Sequence, residues 1–140
     1  MTPDPDQTVI EDEKPSAGID AGSTLLAAHV FKCAICPEPA GTVNIWLEGS
    51  AVKLDRRSFT GSMSLTIPNE SVADTIGSVV RGDHWALFEF DLEICPFLCN
   101  ICDVVICGKH WIWWNVFDDD GWQDSVRGYC PQGHERMLED

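Results

Sequence analysis

Basic residues are scarce in this sequence of 140 residues. Nine lysines and arginines stand against 23 aspartates and glutamates, which leaves a formal net charge of −14. Binding to nucleic-acid phosphates or to anionic lipid headgroups requires a positively charged surface. The composition therefore argues against a direct nucleic-acid partner and against a membrane partner, and it suits either high solubility or a basic protein partner.

Long apolar runs are also missing. No segment approaches the roughly 18 consecutive apolar residues that a membrane-spanning helix needs, and the N-terminus lacks the basic residues and apolar stretch of a secretory signal. We therefore expect an intracellular, cytoplasmic protein. In that reducing environment a chain with seven cysteines is expected to use them mainly as metal ligands rather than to pair them as disulfides.

The signatures of several enzyme classes are absent as well. The sequence contains no glycine-rich phosphate loop, no G-x-S-x-G, no H-E-x-x-H and no deaminase-type H-x-E…P-C-x-x-C order. These motifs supply phosphate binding, a serine nucleophile or a catalytic metal in the corresponding enzymes. We therefore expect a non-enzymatic protein.

The first 24 residues differ in composition from the rest of the chain. They are rich in proline, acidic residues, glycine and serine, and they carry almost no large apolar side chains. Such a segment cannot bury enough apolar surface to offset its ordering entropy. We therefore expect residues 1–24 to be a disordered acidic tail, followed by a single domain at 25–140 with a β-rich insertion at about residues 37–94.

Alternating apolar and polar residues predict that this domain is mainly β. Residues 42–48, 58–67 and 84–94 each place an apolar side chain at every second position, which is typical of a strand with one buried face. Residues 69–80 favour a short helix with Asn69 as its N-cap. The predicted fold class is accordingly mainly β, a small α+β domain.

A hairpin is predicted near the C-terminus. Residues 111–117 and 122–129 read as two strands, and the Asp-Gly pair between them is a strong turn signal. Three tryptophans on the first strand, Trp111, Trp113 and Trp114, fit either a ligand pocket or the domain core, and we favour the core.

Eight cysteine and histidine residues occur as four closely spaced pairs. In chain order the pairs are Cys33-x-x-Cys36, Cys99-x-x-Cys102, Cys107-x-x-His110 and Cys130-x-x-x-His134. A short gap lets a tight turn point both donors at one ion, and zinc takes four thiolate or imidazole donors in a tetrahedron. Soft thiolates favour zinc over magnesium or calcium. The sequence thus predicts two zinc ions in two Cys3His sites, and these staple the β-strand core of a zinc-binding domain at 25–140.

A structural role for these ions is favoured by the completeness of the donor sets. A catalytic zinc keeps one position open for water, whereas four pairs supply four donors to each of two ions. The seventh cysteine, Cys95, has no partner at ligand spacing, and we expect it to be a small buried hydrophobic residue.

Two arrangements of the four pairs remain open. In a cross-brace the first and third pairs share one ion and the second and fourth share the other. The resulting sets are Cys33, Cys36, Cys107, His110 and Cys99, Cys102, Cys130, His134. In a zinc-ribbon-like arrangement the second and third pairs close one compact site, and the first pair joins the fourth. We favour the cross-brace, because only four residues separate Cys102 from Cys107 and wrapping all four donors around one ion would strain that linker.

The order of the donors resembles the cross-brace zinc domains of the RING, FYVE and ZZ type. The run C-x2-C-x4-C-x2-H carries the resemblance, together with Cys33-Ala-Ile-Cys36, which is similar to the opening C-x-I-C of RING domains, and Cys130-Pro, which is similar to the start of their last pair. The resemblance is limited to the ligand pattern. It implies cross-brace topology, and it places Ile35 where RING domains contact a ubiquitin-conjugating enzyme.

These observations predict a non-enzymatic, zinc-binding protein-interaction module with an apolar and aromatic contact surface near the metals and a protein partner, which the acidic strand faces suggest is basic. Two alternatives come from other functional classes. One is a RING-like ubiquitin-ligase module. The other is an acidic mimic of nucleic acid that inhibits a basic partner, with Glu89, Asp91 and Glu93 lined up along one strand.

Overall fold

The computed structural model describes residues 22–140. The predicted acidic tail, residues 1–24, lies outside the described residues except for its last three positions, and the first strand already begins at Ser23. Within residues 22–140, no helix is both long enough and apolar enough to cross a membrane.

An antiparallel sheet of four strands forms the N-terminal half of the structure. Its strands follow chain order: β1 (Ser23–Lys32), β2 (Pro39–Glu48), β3 (Ala51–Ser58) and β4 (Gly61–Thr66). The alternation predicted for residues 42–48 is confirmed, because Val43 and Ile45 on β2 are fully buried. Leu54 on β3 pairs with Ile45 and faces the same core.

The single strand predicted for residues 58–67 is two strands joined by a tight turn. β3 ends at Ser58, β4 begins at Gly61, and these two residues pair across the turn. Gly61 has a φ of +118°, which residues with a Cβ rarely adopt. The alternation runs through the turn and hides it in the sequence, although Met63 and Leu65 pack against the core as predicted.

The helix predicted for residues 69–80 is confirmed. A 3-10 turn (Asn69–Ser71) leads into α1 (Val72–Arg81), which packs against β1 and β2. The residue that precedes the first turn of α1 is Ser71 rather than the predicted Asn69. Gly82 ends the helix with a φ of +66° and donates its N–H to two carbonyls of the last turn.

The strand predicted for residues 84–94 is wrong. The segment forms a second helix, α2 (His84–Phe90), and then a 3-10 turn, Leu92–Ile94. The carboxylate of Asp83 accepts a hydrogen bond from a backbone N–H in the first turn of α2 and so caps the helix. Only Leu87 of α2 is fully buried. The alternating aromatic residues therefore do not form a continuous buried face, as a strand would need, and the Asp83 cap favours a helix in this segment.

The C-terminal half is built from short strands. A two-residue ladder, β5 (Leu98–Cys99) with β6 (Val104–Val105), precedes a three-stranded antiparallel sheet of β7 (Ile112–Phe117), β8 (Gln123–Tyr129) and β9 (Glu135–Glu139). The predicted hairpin is confirmed as β7 and β8, and Gly121 takes a φ of +87° at its turn. The strand β9 was not predicted.

Arg56 joins the two sheets. Its side chain lies on β3 and is fully buried, at 0% exposure. The guanidinium donates two hydrogen bonds to the Glu93 carbonyl, at 2.8 and 3.0 Å, and one to the Glu139 carboxylate on β9, at 2.9 Å. A buried charge is tolerated only when it is paired and hydrogen-bonded, so this ion pair fixes β9 against the N-terminal sheet. The fold is mainly β with two short helices, which confirms the predicted small α+β class.

Candidate metal centres

The first cluster of donors comes from two loops that are far apart in the chain. Cys33 and Cys36 lie between β1 and β2, whereas Cys107 and His110 lie between β6 and β7. The Cys33 Sγ is 3.8 Å from the His110 Nδ1, and the Cys107 Sγ is 3.3 Å from the same nitrogen. The Cys36 and Cys107 sulfurs are 3.6 Å apart. We call these four residues cluster 1.

The second cluster has the same composition. Cys99 lies in β5 and Cys102 in the turn that follows it, whereas Cys130 and His134 lie in the turn between β8 and β9. The His134 Nδ1 is 3.2 Å from the Cys102 sulfur, 3.4 Å from the Cys130 sulfur and 3.7 Å from the Cys99 sulfur. The Cys102 and Cys130 sulfurs are 3.9 Å apart. We call these four residues cluster 2.

Both clusters have the dimensions of a tetrahedral metal site. An ion that is about 2.3 Å from each sulfur and about 2.0–2.1 Å from nitrogen places sulfurs about 3.8 Å apart, and sulfur and nitrogen about 3.6 Å apart. The separations given above for the two clusters run from 3.2 to 3.9 Å. The sulfurs are too far apart for disulfide bonds, which need about 2.05 Å, and all seven cysteines are free thiols.

Backbone N–H groups point at sulfurs in both clusters, among them Cys99, which accepts the Cys102 N–H at 3.4 Å. The Ile35 N–H donates to the Cys33 sulfur at 3.3 Å, and the Gln132 and His134 N–H groups donate to the Cys130 sulfur at 3.3 and 3.4 Å. Burial alone raises the pKa of Cys33, but such N–H groups lower it to about 6. Burial likewise raises the pKa of Cys130, but hydrogen bonds from N–H groups lower it to about 7. One thiolate is therefore favoured in each cluster.

Other thiols in the clusters hold their protons more tightly. Desolvation, followed by hydrogen bonds to the thiols of Cys99 and Cys130, raises the pKa of Cys102 to about 12. Desolvation also raises the pKa of Cys107. Metal binding must displace such protons, so the affinity of either cluster for a metal ion is expected to fall in acid.

Trp111 connects the two clusters. It follows His110 of cluster 1 and is 4% exposed. Its indole N–H lies 3.0 Å from the Ile106 carbonyl and 3.4 Å from the Phe97 carbonyl. Phe97 also accepts the Ile106 N–H at 2.8 Å, so one hydrogen-bonded unit spans the chain between the donors of cluster 2 and those of cluster 1. The sequence reasoning missed this bridge, because nothing in the spacing distinguishes Trp111 from its neighbours.

The structure groups the eight predicted donors in the cross-brace order. The first and third pairs meet in cluster 1, and the second and fourth meet in cluster 2. The zinc-ribbon-like alternative is therefore wrong for this molecule. The linker between Cys102 and Cys107 contains β6 and Asp103, whose φ of +58° is the one positive φ of a non-glycine residue in the described chain. This linker turns away from cluster 2 and delivers Cys107 to cluster 1.

Cys95 and the three tryptophans at 111, 113 and 114 differ in their burial. Cys95 belongs to neither cluster; it is fully buried, and burial raises its pKa to about 12, as expected for an unreactive small side chain. Trp111 is in the core, as predicted. Trp113 and Trp114 are not, because they are 38% and 36% exposed.

The chain belongs to the family described as Domain of unknown function (DUF8328), whose model matches residues 23–140. The matched span begins with β1 and includes all eight donors of the two clusters. No curated relative and no solved structure matches the chain. The similarity to RING, FYVE and ZZ domains thus remains one of ligand order and pairing.

Proposed function

We propose that this domain is a non-enzymatic protein-interaction module held together by two structural zinc ions. The observation that carries the proposal is the pair of complete Cys3His clusters, each with four donors inside 4.8 Å. A complete donor set leaves no position for a reacting water, which is the hallmark of a structural rather than a catalytic site. The metal then supplies folding energy, and function falls to the surface that it organises.

The chemistry of the donors favours zinc. Three thiolates and one imidazole form a soft set that magnesium and calcium do not take, since these ions require oxygen. Tetrahedral separations suit zinc, which has no geometric preference of its own and accepts mixed sulfur and nitrogen donors. Such thiols stay reduced and available to a metal in the cytoplasm, which is where we place the protein.

The proposed contact surface is the β7–β8 hairpin. Five of its exposed apolar side chains, which we call the hairpin face, are Ile112, Trp114, Phe117, Trp122 and Tyr129; the exposed Trp113 packs instead against Phe59. Trp122 is 74% exposed and Ile112 is 69% exposed. Aromatic residues are enriched at protein interfaces and supply most of their binding energy. Acidic residues at 118–120 and 124 border this face, so the partner that it fits is a basic protein.

The test of this proposal separates the metal from the surface. Zinc content per chain is measured by elemental analysis, and two zinc ions are expected. Partner capture by the zinc-loaded chain is then compared with capture by the variant Trp114→Ser/Trp122→Ser. Val80→Ser is the control, because Val80 is an exposed apolar residue, at 63%, on α1 and away from the hairpin. Loss of a specific partner with the hairpin variant alone supports the proposal. Two zinc ions with a partner set that is unchanged by the hairpin variant contradicts it.

A RING-like ubiquitin-ligase module is the second candidate. Two observations favour it: the cross-brace pairing of the clusters, and the exposure of Ile35, at 52%, on the first cysteine loop. The test is discharge of ubiquitin from a panel of charged conjugating enzymes. Discharge that is lost in Ile35→Ala and kept in Ile101→Ala supports this function, since Ile101 is the equivalent residue of cluster 2 and is 63% exposed. No discharge with any enzyme in the panel rejects it.

The acidic mimic is not proposed further. It required Glu89, Asp91 and Glu93 on one face of a strand, and that strand is not formed. The Asp91 carboxylate accepts the Glu93 N–H at 2.9 Å, and the Glu93 carboxylate accepts the Asp140 N–H at 3.1 Å. Two of the three carboxylates are thus engaged in local structure instead of presenting phosphate-like charge.

A further inference from the structure

Most cationic side chains of the described residues are already engaged. Four of them form ion pairs with carboxylates: Lys53 with Glu48, Arg56 with Glu139, Arg81 with Asp83 and Arg127 with Glu135. Arg136 donates to backbone carbonyls and lies over the ring of Phe88. Within residues 22–140, three further cations, Lys32, Arg57 and Lys109, have no carboxylate within 4.0 Å, although Arg57 lies close enough to Asp55 to act on it electrostatically.

Two of these cations, Arg57 and Lys109, line one groove, and Lys32 pairs in the ladder with a residue that lines it. Lys109 lines a hollow of about 280 Å³ next to cluster 1, and Arg57 lines an adjoining hollow of about 520 Å³ on the outer face of the N-terminal sheet. Phe59 and Pro39 line both hollows, and Lys32 is paired with Pro39 in the β1–β2 ladder. We call the two hollows together the cationic groove.

The floor of the cationic groove is apolar. Phe59 and Trp113 lie with their ring centroids 5.6 Å apart, and Val30, which is 48% exposed, lines the other end. Exposed aromatic rings beside unpaired cations can bury an apolar side chain and neutralise a carboxylate at the same time. A simple inorganic anion would use only the cations and leave the floor uncovered.

Cluster 1 forms one wall of the groove. Gly108 lies between its donors Cys107 and His110 and lines both hollows. A Cβ on Gly108 would lie 2.5 Å from the Cβ of Phe59, so the metal loop approaches the aromatic floor as closely as a side-chain-free residue allows. The groove therefore depends on a correctly folded cluster 1.

Because the chain as a whole is strongly acidic, a groove lined by cations that form no ion pair is a distinct local feature. With a net charge of −14, the protein repels anions at long range, and Glu38 adds one carboxylate to the lining. Binding must therefore rest on short-range contacts, in which ion pairs and apolar burial act together. A short peptide segment supplies both.

We propose that the cationic groove binds an acidic segment of a partner protein that carries an aromatic or aliphatic side chain among its carboxylates. The apolar side chain covers Phe59 and Trp113, while flanking carboxylates contact Arg57 and Lys109. This site goes beyond the hairpin face, which has different residues and accepts a partner of opposite charge.

The test uses the full chain loaded with zinc and three terminally blocked heptapeptides. The first, EDIWEDE, has both features of the proposed ligand. The second, QNIWQNQ, lacks the charge, and the third, EDAAEDE, lacks the apolar side chains. Binding is measured by fluorescence anisotropy, and the contacted residues are mapped by amide chemical shifts. We expect EDIWEDE to bind about tenfold more tightly than either control peptide, to lose affinity as salt is raised, and to shift the amides of Gly41 and Gly108.

Variants decide whether the groove or the net charge is responsible. Arg57→Gln/Lys109→Gln should weaken EDIWEDE about tenfold, because each neutralisation removes one exposed ion pair. Lys53→Gln/Arg81→Gln changes the net charge equally at positions outside the groove and should leave the affinity within about twofold. Trp114→Ser/Trp122→Ser on the hairpin face should also leave it unchanged, which separates this site from the proposed function.

Three results would overturn the proposal. The first is no binding of EDIWEDE at millimolar concentration to a chain that holds two zinc ions. The second is equal weakening by the groove pair and the control pair of glutamine substitutions. The third is a shift map that lies on the hairpin face instead of on the groove.

Discussion

The two Cys3His clusters share a donor set and a geometry, but they fasten different parts of the molecule. Cluster 1 brings together Cys36 and Cys107, which are 71 positions apart, and so anchors the N-terminal sheet. Cluster 2 brings together Cys102 and Cys130, which are 28 positions apart, and anchors the C-terminal sheet. The same donor set thus anchors a different sheet in each cluster. Which sheet it anchors depends on the chain segments that lie between the donors.

Loop length by itself separates the clusters only slightly. The entropy cost of closing a loop grows with the logarithm of its length, so closing the longer loop costs only about 0.8 kcal/mol more. The larger effect is the shared segment: residues 99–110 supply donors to both clusters. We therefore expect the clusters to support each other.

The largest expected effect is the removal of both metals. The apparent binding free energy of a structural zinc site, about 10–16 kcal/mol, contributes directly to folding. The total stability of a domain is usually about 5–15 kcal/mol, so the contribution of the metal matches or exceeds it. Chelation should therefore abolish cooperative unfolding and most of the strand signal in circular dichroism. Zinc should restore both, and magnesium should not. A native-like spectrum of the metal-free chain would contradict a structural role.

Double substitutions test which donors share an ion and whether each cluster binds its ion independently. Cys36→Ser/Cys107→Ser removes two donors of cluster 1 and should leave one zinc per chain, bound in cluster 2. Cys102→Ser/Cys107→Ser removes one donor from each cluster and should reduce the tight zinc content toward zero. Elemental analysis after gel filtration measures both. The opposite ranking of the two double variants would restore the zinc-ribbon-like pairing.

The bridge between the clusters should be sensitive to the loss of one donor group. Trp111→Phe leaves the Ile106 carbonyl without its indole partner at 3.0 Å and opens a small cavity, at a cost of about 3 kcal/mol in the free energy of unfolding. Denaturant titration of the zinc-loaded chain measures this cost. Trp122→Phe at the exposed end of the hairpin is the control and should cost less than about 0.5 kcal/mol. Equal costs would mean that Trp111 does not act as a bridge.

Substituting alanine for a glycine in each metal loop should lower the free energy of unfolding for a different physical reason, and by less than the changes above. Gly108→Ala in cluster 1 introduces a contact with Phe59 at 2.5 Å and should cost about 1–3 kcal/mol through overpacking. Gly133→Ala in cluster 2 meets no atom within 4 Å but has a φ of +89°, so it should cost about 1–2 kcal/mol through backbone strain.

A second substitution sharpens this difference between the loops. Phe59→Leu should relieve part of the cost of Gly108→Ala and none of the cost of Gly133→Ala, because only the first is a clash with that ring. Melting temperatures of the four zinc-loaded variants measure the coupling. Equal relief in both loops would show that the two glycines act through a common effect.

The elements that were predicted correctly are those with strong local signals. The β7–β8 hairpin has an Asp-Gly turn, and β2 has a clear alternation over Val43 and Ile45 that burial confirms. The failures share one cause. Alternation over residues 84–94 looked like a strand, but Asp83 caps a helix there, and alternation through residues 58–67 concealed the turn before Gly61. A period of two over a short segment does not by itself determine local structure.

The sequence alone determined the eight donors, their division into four pairs and the mainly β class, because the spacing within a pair and the alternation within a strand are properties of a few adjacent residues. Only the tertiary structure decided which pairs meet, how Arg56 and Trp111 join the parts, and how Arg57 and Lys109 come to line one groove. These features depend on contacts between residues tens of positions apart. Such contacts are selected by packing and by the satisfaction of buried polar groups, which no local pattern records.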